Sequence, residues 1–238
     1  MLAQTNSSST TTITKGANIT KPGCQRQCGN LRVPYPFGIG RGCAIDTSFE
    51  VNFNTSFNPF KTFFDDIEIS EISDSQMRVS NVVAHTCHNE SGAQDHEFTA
   101  WTDLWNTPYS YSELNKFTVI GHDNFTLITG FEGRNFTSGC LSVCSKAGSV
   151  LDGYCSGSGC CQTLIPRGFK YYFISLDTVN LTQVSLFNTC SYAFLGEQDR
   201  FVFHGASDMS DHDFVHRTSA TVPIVPDWAI GNLSCSAA

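Results

Sequence analysis

Alternating apolar and polar residues recur along most of the chain, and this period of two is typical of β-strands. Phe49–Phe53 alternates strictly, with apolar side chains on one face and polar ones on the other. Ile67–Ile72 and Met77–Val83 predict further strands. Phe117–Ile120 and Phe125–Ile128 flank a turn-forming segment and predict a hairpin or meander. The second half continues the pattern at Tyr171–Leu176, Cys190–Leu195, Phe201–Phe203 and Thr221–Val225.

Helical periodicity is weak throughout, and its best case is a short segment around Val179–Phe187. Residues 24–43 are dense in Gly and Pro, which interrupt helices, so we expect disulfide-pinned loops with short extended pieces there. The fold class is therefore mainly β: disulfide-rich, extracellular, β-sandwich-like modules with little helix. A glycine-rich seam near residues 130–140 predicts three parts: a flexible, glycosylated leader (1–22), an N-terminal β module (23–135) and a cysteine-rich C-terminal β module (136–238).

The eleven cysteines indicate an oxidising compartment, because a cytosolic protein of 238 residues rarely keeps so many thiols. A metal site at His85, Cys87 and His88 is an alternative, but the cysteine spacings do not fit zinc knuckles, and we predict no metal site. The adjacent Cys160 and Cys161 should bond two different segments, since a bridge between neighbours is strained. An odd count leaves one cysteine over, and we predict that it is Cys235. Disulfides are predicted for the other ten: Cys24, Cys28, Cys43, Cys87, Cys140, Cys144, Cys155, Cys160, Cys161 and Cys190.

Eight Asn-x-Ser/Thr sequons are spread along the chain, and their number supports passage through the secretory pathway. No apolar stretch reaches the roughly 18 residues that a membrane-spanning helix needs. We therefore expect an extracellular location and either a secreted protein or an excised ectodomain. N-glycosylation is predicted at Asn6, Asn18, Asn54, Asn89, Asn124, Asn135, Asn180 and Asn232.

Charge is unevenly distributed along the chain, whose formal net charge is −8. The first 45 residues contain five Lys and Arg and no acidic residue, whereas the remainder contains all 22 Asp and Glu. A basic N-terminal segment on an acidic body favours a polyanionic partner at that end, and a chance bias over a short segment is the alternative. The acidic body gives no reason to expect a nucleic-acid partner.

Several cysteine-containing motifs together resemble one plant family. They are Cys24-x3-Cys28-Gly29, the VPYPFGIG-x-GC run of 33–43, the GYCSGSGCC run of 153–161, the CSYAF run of 190–194 and the DWAIGN run of 227–232. Across about residues 23–236 the chain resembles the galacturonan-binding domain of wall-associated receptor kinases. The resemblance implies a full-length receptor with epidermal-growth-factor-like repeats, a membrane span and a Ser/Thr kinase, all downstream of these residues. This chain itself is then a non-enzymatic binding module, connected to the membrane only through those segments.

Two family cysteines are replaced in this chain. Phe53 stands where the family usually has a cysteine after the first strand, and His122 stands where it usually has Gly-Cys before an Asn-containing turn. We hypothesise that the family cysteines at these two positions pair with each other.

The resemblance implies that the ligand is pectin, a polymer of galacturonic acid in the cell wall, bound for adhesion, signalling or defence. Guanidinium groups suit bidentate carboxylate contacts, so the candidate binding residues are Arg26, Arg32 and Arg41, with Lys21 in support. Tyr35 and Phe37 are candidates for stacking on sugar rings, although we favour core packing for both. No cofactor is predicted. Calcium bridging between pectin and acidic residues is an alternative, with Asp208, Asp211 and Asp213 as a weak candidate cluster.

Two other function classes compete with pectin binding. A secreted glycosidase would need two carboxylates, and Asp65, Asp66, Glu68 and Glu71 are available, but acid-rich surface strands are the ordinary explanation. No nucleophile elbow, zinc-protease motif or phosphate-binding glycine loop occurs. The other class is recognition of a protein, such as a peptide or a co-receptor in immune signalling. An exposed apolar patch free of sequons would favour protein recognition, whereas an arginine-lined groove would favour pectin.

Overall fold

A computed structural model of the chain describes residues 20–231, except for 90, 92, 123, 132–133, 145–146 and 179–188. Within these residues the chain forms mostly short strands, together with two short helices, α1 (Ala206–Met209) and α2 (Phe214–Thr221). The strands are β1 (Gln27–Cys28), β2 (Leu31–Arg32), β3 (Gly38–Ile39), β4 (Glu50–Asn54), β5 (Lys61–Phe64), β6 (Ile67–Ile72), β7 (Met77–Val79), β8 (Val83–His88), β9 (Gln94–Phe98), β10 (Trp101–Asp103), β11 (Tyr109–Tyr111), β12 (Asn115–Ile120), β13 (Asn124–Phe131), β14 (Phe136–Ser142), β15 (Cys160–Leu164), β16 (Tyr171–Thr178), β17 (Cys190–Glu197) and β18 (Pro226–Trp228).

Three larger sheets organise these strands. Their strand orders are β3-β4-β5-β6-β7, β15-β12-β17-β8-β9 and β10-β16-β13-β14, and two small ladders pair β1 with β2 and β11 with β18. Every pairing within these sheets is antiparallel except that of β3 with β4. The prediction of a mainly β, disulfide-rich fold is confirmed.

The predicted hairpin of β12 and β13 is wrong, because the two strands belong to different sheets. The chain crosses between the sheets at Gly121, whose φ is +149°. A side chain there would collide with the Asn124 amide and come within 2.8 Å of the Ser191 hydroxyl. Only glycine therefore fits this crossing.

The predicted seam at residues 135–136 does not separate two sheets. It falls between β13 and β14, which pair directly from Asn124–Ser142 to Gly130–Phe136. The sheet β15-β12-β17-β8-β9 also combines strands from both predicted modules. Strand pairing therefore crosses residues 135–136, and the division of the chain into two modules stays a prediction. Residues 1–19 of the predicted leader lie outside the described residues.

Two segments of the second half that were predicted to be strands do not form strands in the structure. Phe201–Phe203 is unpaired and Thr221 ends helix α2, although Phe203, Val222 and Ile224 are all buried. Apolar alternation reports burial: Phe203 is buried outside any ladder, and Ile224 forms only an isolated antiparallel bridge with Val79 of β7. Helix α2 was not predicted from the sequence. The predicted helical segment at 179–187 lies outside the described residues.

The largest core cluster joins all three sheets, and an aromatic group lies at its centre. Phe37, Phe49 and Trp228 have ring centroids 5.2 to 5.9 Å apart, and Tyr109 packs on the first two. A smaller cluster packs helix α2 on β17 through Phe214, whose ring stacks on that of Tyr192 at 4.5 Å. Phe37 is fully buried, which confirms its predicted core role.

Four disulfides join the described cysteines: Cys24–Cys43, Cys87–Cys190, Cys140–Cys161 and Cys155–Cys160. The prediction that adjacent Cys160 and Cys161 bond different segments is confirmed. The bridge at Cys87 also removes the alternative of a metal site beside His85 and His88. Cys144 is buried, and its predicted disulfide stays a prediction, whereas Cys235 lies outside the described residues.

Cys28 is a buried thiol, so the prediction that it is disulfide-bonded is wrong. Its Sγ donates to the Lys61 carbonyl at 3.3 Å. Burial raises the pKa of the thiol, and hydrogen bonds with the Thr62 side chain and the Asn54 backbone offset part of that rise. Phe53 lies directly opposite Thr62 on the β4–β5 ladder. Position 53 is therefore beside Cys28, on a different sheet from the turn that follows β12.

Candidate functional site

The basic N-terminal residues surround the Cys24–Cys43 bridge and the β1–β2 ladder. Arg26 precedes β1 and Arg32 ends β2, and the Val33 amide donates to the Arg26 carbonyl at 3.0 Å. The turn between the two strands contains Gly29, whose φ is +54° and at which a side chain would collide with the Phe60 carbonyl. The ladder is thus held tightly against the β4–β5 hairpin, which fixes the backbone under both arginines.

Arg26 and Arg32 line one groove of about 240 Å³. The other lining residues are Thr20, Gln27, Val33 and Pro34, none of which is acidic. Both arginines are exposed. The groove therefore presents two guanidinium groups above a floor that is rigid and free of carboxylates.

Neither arginine is neutralised by an acidic side chain in the described part of the chain. Arg41, exposed on the loop after β3, has no such partner among those residues either. Other arginines differ: Arg78 forms a fork with Glu197 at 2.5 and 2.8 Å, and the hydrogen bond to Glu197 raises the pKa of Arg78. The N-terminal guanidinium groups are thus available to an external anion.

Lys21 has a structural role that the sequence did not reveal. Its Nζ donates to the Ala44 carbonyl at 2.6 Å and to the Gly42 carbonyl at 3.2 Å. It also lies 5.9 Å from the centre of the Tyr35 ring. Because these contacts tie its ammonium group to the loop, Lys21 supports the site by fixing the Arg41 loop.

Tyr35 is 40% exposed, so the core role that we favoured for it is wrong. Phe37, two residues later, is buried in the core instead. In a regular strand the two side chains would share a face, but a turn at Tyr35–Pro36 separates them. The exposed Tyr35 ring lies beside the Lys21 ammonium group and is accessible to a flat ligand.

Several of the acidic candidates already form ion pairs with neighbouring cations. Arg217 binds Asp208 at 2.8 Å and Asp211 at 2.9 Å, so both carboxylates of the weak calcium candidate already have a cationic partner. Among the described residues, no group of three or more His, Cys, Asp and Glu side chains is arranged to hold a metal ion. Of the acids considered for a glycosidase, Glu68 pairs with Lys61 at 2.8 Å and Glu71 with Arg78 at 3.0 Å.

The sequence did not predict a second groove, of about 360 Å³, between β6, β7 and the end of α2. Charges of both signs line it: Lys61, Arg78 and Arg200 with Glu68 and Glu71. Glu197 pairs with both Arg78 and Arg200. Within each ion pair the two charges cancel. The paired residues are up to 119 positions apart in sequence. This groove is therefore a weaker binding site for an anion than the Arg26–Arg32 groove.

Sequon positions differ in their access to solvent. Asn89 and Asn135 are exposed and Asn54 is half-buried. Asn124 is buried, and its Nδ2 donates to the Ser191 hydroxyl at 2.6 Å and to the His122 carbonyl at 2.9 Å. That nitrogen is the glycan attachment atom, so the predicted glycosylation of Asn124 is incompatible with the folded structure. Asn6, Asn18, Asn180 and Asn232 lie outside the described residues.

No helix among the described residues is long and apolar enough to cross a membrane. Likewise, no protein-family model and no solved structure matches the chain.

Sequence relatives are found among plant receptors. The chain is 37% identical to wall-associated receptor kinase 2 of Arabidopsis thaliana over 216 residues, 89% of this chain and 28% of the relative. It is 32% identical to wall-associated receptor kinase 1 of that plant over 231 residues, 94% of this chain and 30% of the relative. For wall-associated receptor kinase 3 the identity is 31% over 242 residues, 96% of this chain and 32% of the relative. The chain thus spans less than a third of the length of these relatives.

Proposed function

Because the chain belongs to the wall-associated receptor kinase family, we propose that it is the part of such a receptor that binds acidic cell-wall polysaccharide, pectin or its oligogalacturonide fragments. The chain matches the N-terminal region of its relatives and is a non-enzymatic ectodomain. Its place is then the extracellular, cell-wall side of the plasma membrane. The biological role would be adhesion, signalling or defence.

The groove lined by Arg26 and Arg32 is the observation that carries this proposal. Each residue of a galacturonan chain bears a carboxylate, and a guanidinium group binds a carboxylate through two parallel hydrogen bonds. The two arginines have no competing acid among the described residues, so neither has to break an ion pair before it binds the polymer. Arg41 and the exposed Tyr35 ring extend the surface beyond the groove.

The contribution of each arginine is modest and depends on salt. An exposed ion pair contributes about 0.2 to 1 kcal/mol, and bidentate geometry brings it to the upper end of that range. Removing Arg26, Arg32 and Arg41 together should weaken binding by about 2 to 3 kcal/mol, or about 30- to 150-fold. Because the Debye length falls from about 10 Å at 0.1 M salt to about 3 Å at 1 M, the affinity should fall steeply with salt.

The test is binding of the purified chain to oligogalacturonides by calorimetry across a salt series, with reduced, neutral oligomers as the ligand control. Arg26→Ala, Arg32→Ala and Arg41→Ala are combined in one variant. Arg167→Ala is the matched control, because Arg167 is exposed and remote in sequence from the groove. Salt-insensitive binding, or equal losses in both variants, would refute the proposal.

Calcium bridging is the alternative route to the same ligand, and a parallel series in calcium and in chelator distinguishes the two. Direct binding by arginine persists in chelator, whereas bridging by calcium requires the ion. A second candidate function, recognition of another protein, is favoured by the exposed apolar face of the sheet β10-β16-β13-β14.

A further inference from the structure

One face of the sheet β10-β16-β13-β14 is apolar and open to solvent. Five large side chains on that face, Trp101, Phe125, Phe131, Leu141 and Phe173, are between 39% and 58% exposed. They are not scattered over the surface. The strand register places Trp101 opposite Phe173, and Phe125 opposite Leu141.

Alternation along the strands explains why this face is separate from the core. On β16, Tyr172 and Ile174 point inward and are buried, so Tyr171 and Phe173 point outward. On β13, Ile128 is buried and the flanking odd-numbered residues face away from it. The inner face already packs in the main core. The apolar side chains of the outer face therefore do not contribute to the main core of this fold.

The exposed apolar area of this face is comparable to the largest apolar patch on a typical monomer. An aromatic side chain covers about 150 to 250 Å² when fully buried, so the four aromatic residues at about half exposure contribute roughly 400 Å². The largest apolar patch on a typical monomer is about 300 to 600 Å². Adding Leu141, Tyr171 and Leu127 brings the face towards the roughly 800 Å² per partner of a standard protein interface.

We propose that two copies of this chain associate through this face. Two sheets with the same twist pack face to face at about 10 Å, with their strands within about 30° of each other. The outward positions also mix large side chains with small ones, namely Thr129, Thr137, Gly139 and Ser175. In a two-fold arrangement the large side chains of one copy can fill the gaps over the small ones of the other.

The charges on these strands support a second copy and oppose an acidic polymer as the occupant. The four strands contain no Lys or Arg, and their only charged residues are Asp103 and Asp177. Both are exposed. Asp103 pairs with Tyr171, and Asp177 lies six residues away at the other end of β16. The two carboxylates therefore lie at opposite ends of the face, where they stay hydrated at the rim of an interface.

The outward positions of these four strands contain no sequon asparagine. Asn124, at the start of β13, points inward and is buried. The exposed Asn135 lies one residue before β14, so a glycan there would be attached at the end of the sheet and not in the middle of the face.

The test is the oligomeric state of the glycosylated chain, measured by sedimentation equilibrium from about 0.1 to about 100 μM. We expect a reversible dimer in this range. The double variant Trp101→Ser/Phe173→Ser should raise the dimer dissociation constant at least ten-fold, because aromatic residues at the centre of an interface dominate its affinity. Leu164→Ser/Val202→Ser is the control, because these side chains are more exposed than those of the face but lie elsewhere.

A second measurement keeps the result independent of how the serine variants fold. Thr129 lies opposite Phe173 near the middle of the face, so Thr129→Cys should form a disulfide-linked dimer on mild oxidation, and Leu164→Cys should not. A chain that stays monomeric at about 100 μM overturns the proposal, even if the face then binds a saccharide or a different protein. A dimer that the control variant disrupts and the face variant leaves intact overturns it as well.

Discussion

The unpaired thiol of Cys28 predicts where this chain can regain a disulfide. Phe53 and Thr62 are directly opposite on the β4–β5 ladder, a pairing that places their Cβ atoms about 4.5 to 5.5 Å apart on one face. The Cys28 thiol hydrogen-bonds to that same Thr62 side chain and to the backbone of Asn54, the residue after Phe53. We therefore expect Phe53→Cys to form a bridge with Cys28. This replaces the hypothesis that cysteines at positions 53 and 122 would pair.

The net stabilisation should be about 2 kcal/mol. A bridge between positions 28 and 53 closes a loop of about 25 residues, which removes about 3.5 kcal/mol of conformational entropy from the unfolded chain. Against this, the variant loses the Phe53 ring, which is half-buried and packs edge-on against Phe60 at 5.3 Å. That loss costs about 1 to 1.5 kcal/mol. The melting temperature should accordingly rise by about 4 to 8 °C.

Peptide mass mapping under non-reducing conditions shows which cysteines are joined, and calorimetry gives the melting temperature. Phe53→Ser removes the ring without adding a thiol, so it should melt below the parent chain. Adding Cys28→Ser to Phe53→Cys should abolish the gain. In the double variant Phe53→Cys/His122→Cys, a bridge between positions 53 and 122 would show that the geometric argument is wrong.

Three other expectations rest on single contacts. Asn124→Gln should leave the glycan mass unchanged because its amide is buried, whereas Asn135→Gln should lose one glycan if that exposed site is occupied; intact mass spectrometry compares them. Arg217→Ala should lower the free energy of unfolding in urea by about 2 to 3 kcal/mol, since it leaves the buried Asp208 carboxylate without its cation; a loss under about 0.5 kcal/mol would contradict this. Desolvation alone would raise the pKa of Asp211, but its hydrogen bonds with the Asp213 amide and Arg217 lower it overall. A lowered folded-state pKa stabilises the protein above the ordinary value near 3.8, so stability should fall as pH drops below that value, and Asp211→Asn should flatten the acid limb of the unfolding curve.

Local pattern predicted most of the strands but not which strands are neighbours. The alternation of β4, β6 and β16 is visible in the sequence because one face of each strand is more buried than the other, whereas β17 is buried on both faces and is visible as an apolar run. The separation of β12 from β13 is not visible, because it depends on Gly121 and on partners about 70 residues away. Phe203 shows the same limit, since burial in an irregular segment also produces apolar alternation.

The site could be predicted in part for a similar reason. Segregation of charge is a property of the sequence, so the basic character of the region around Arg26 and Arg32 was evident. Whether each Lys or Arg side chain is free to bind a ligand or is engaged within the protein depends on three-dimensional contacts. Lys21 is tied to two carbonyl groups, a role that no spacing rule indicates. The disulfide status of Cys28 was equally inaccessible, because spacing does not determine connectivity.

The two proposed surfaces have opposite character, and together they suggest how one chain would discriminate between long and short polymers. The Arg26–Arg32 groove is cationic, whereas the outer face of β10-β16-β13-β14 contains only carboxylates among its charges. A dimer formed through the apolar face would keep both grooves free and present two of them to a single galacturonan. Linked sites can raise avidity about 10²- to 10⁴-fold when one ligand spans both, and give no gain when it reaches only one. Trp101→Ser/Phe173→Ser should then weaken binding of a long polymer and leave the affinity for a short oligomer unchanged. Equal affinities of this variant and the parent chain for the long polymer would show that the two surfaces act independently.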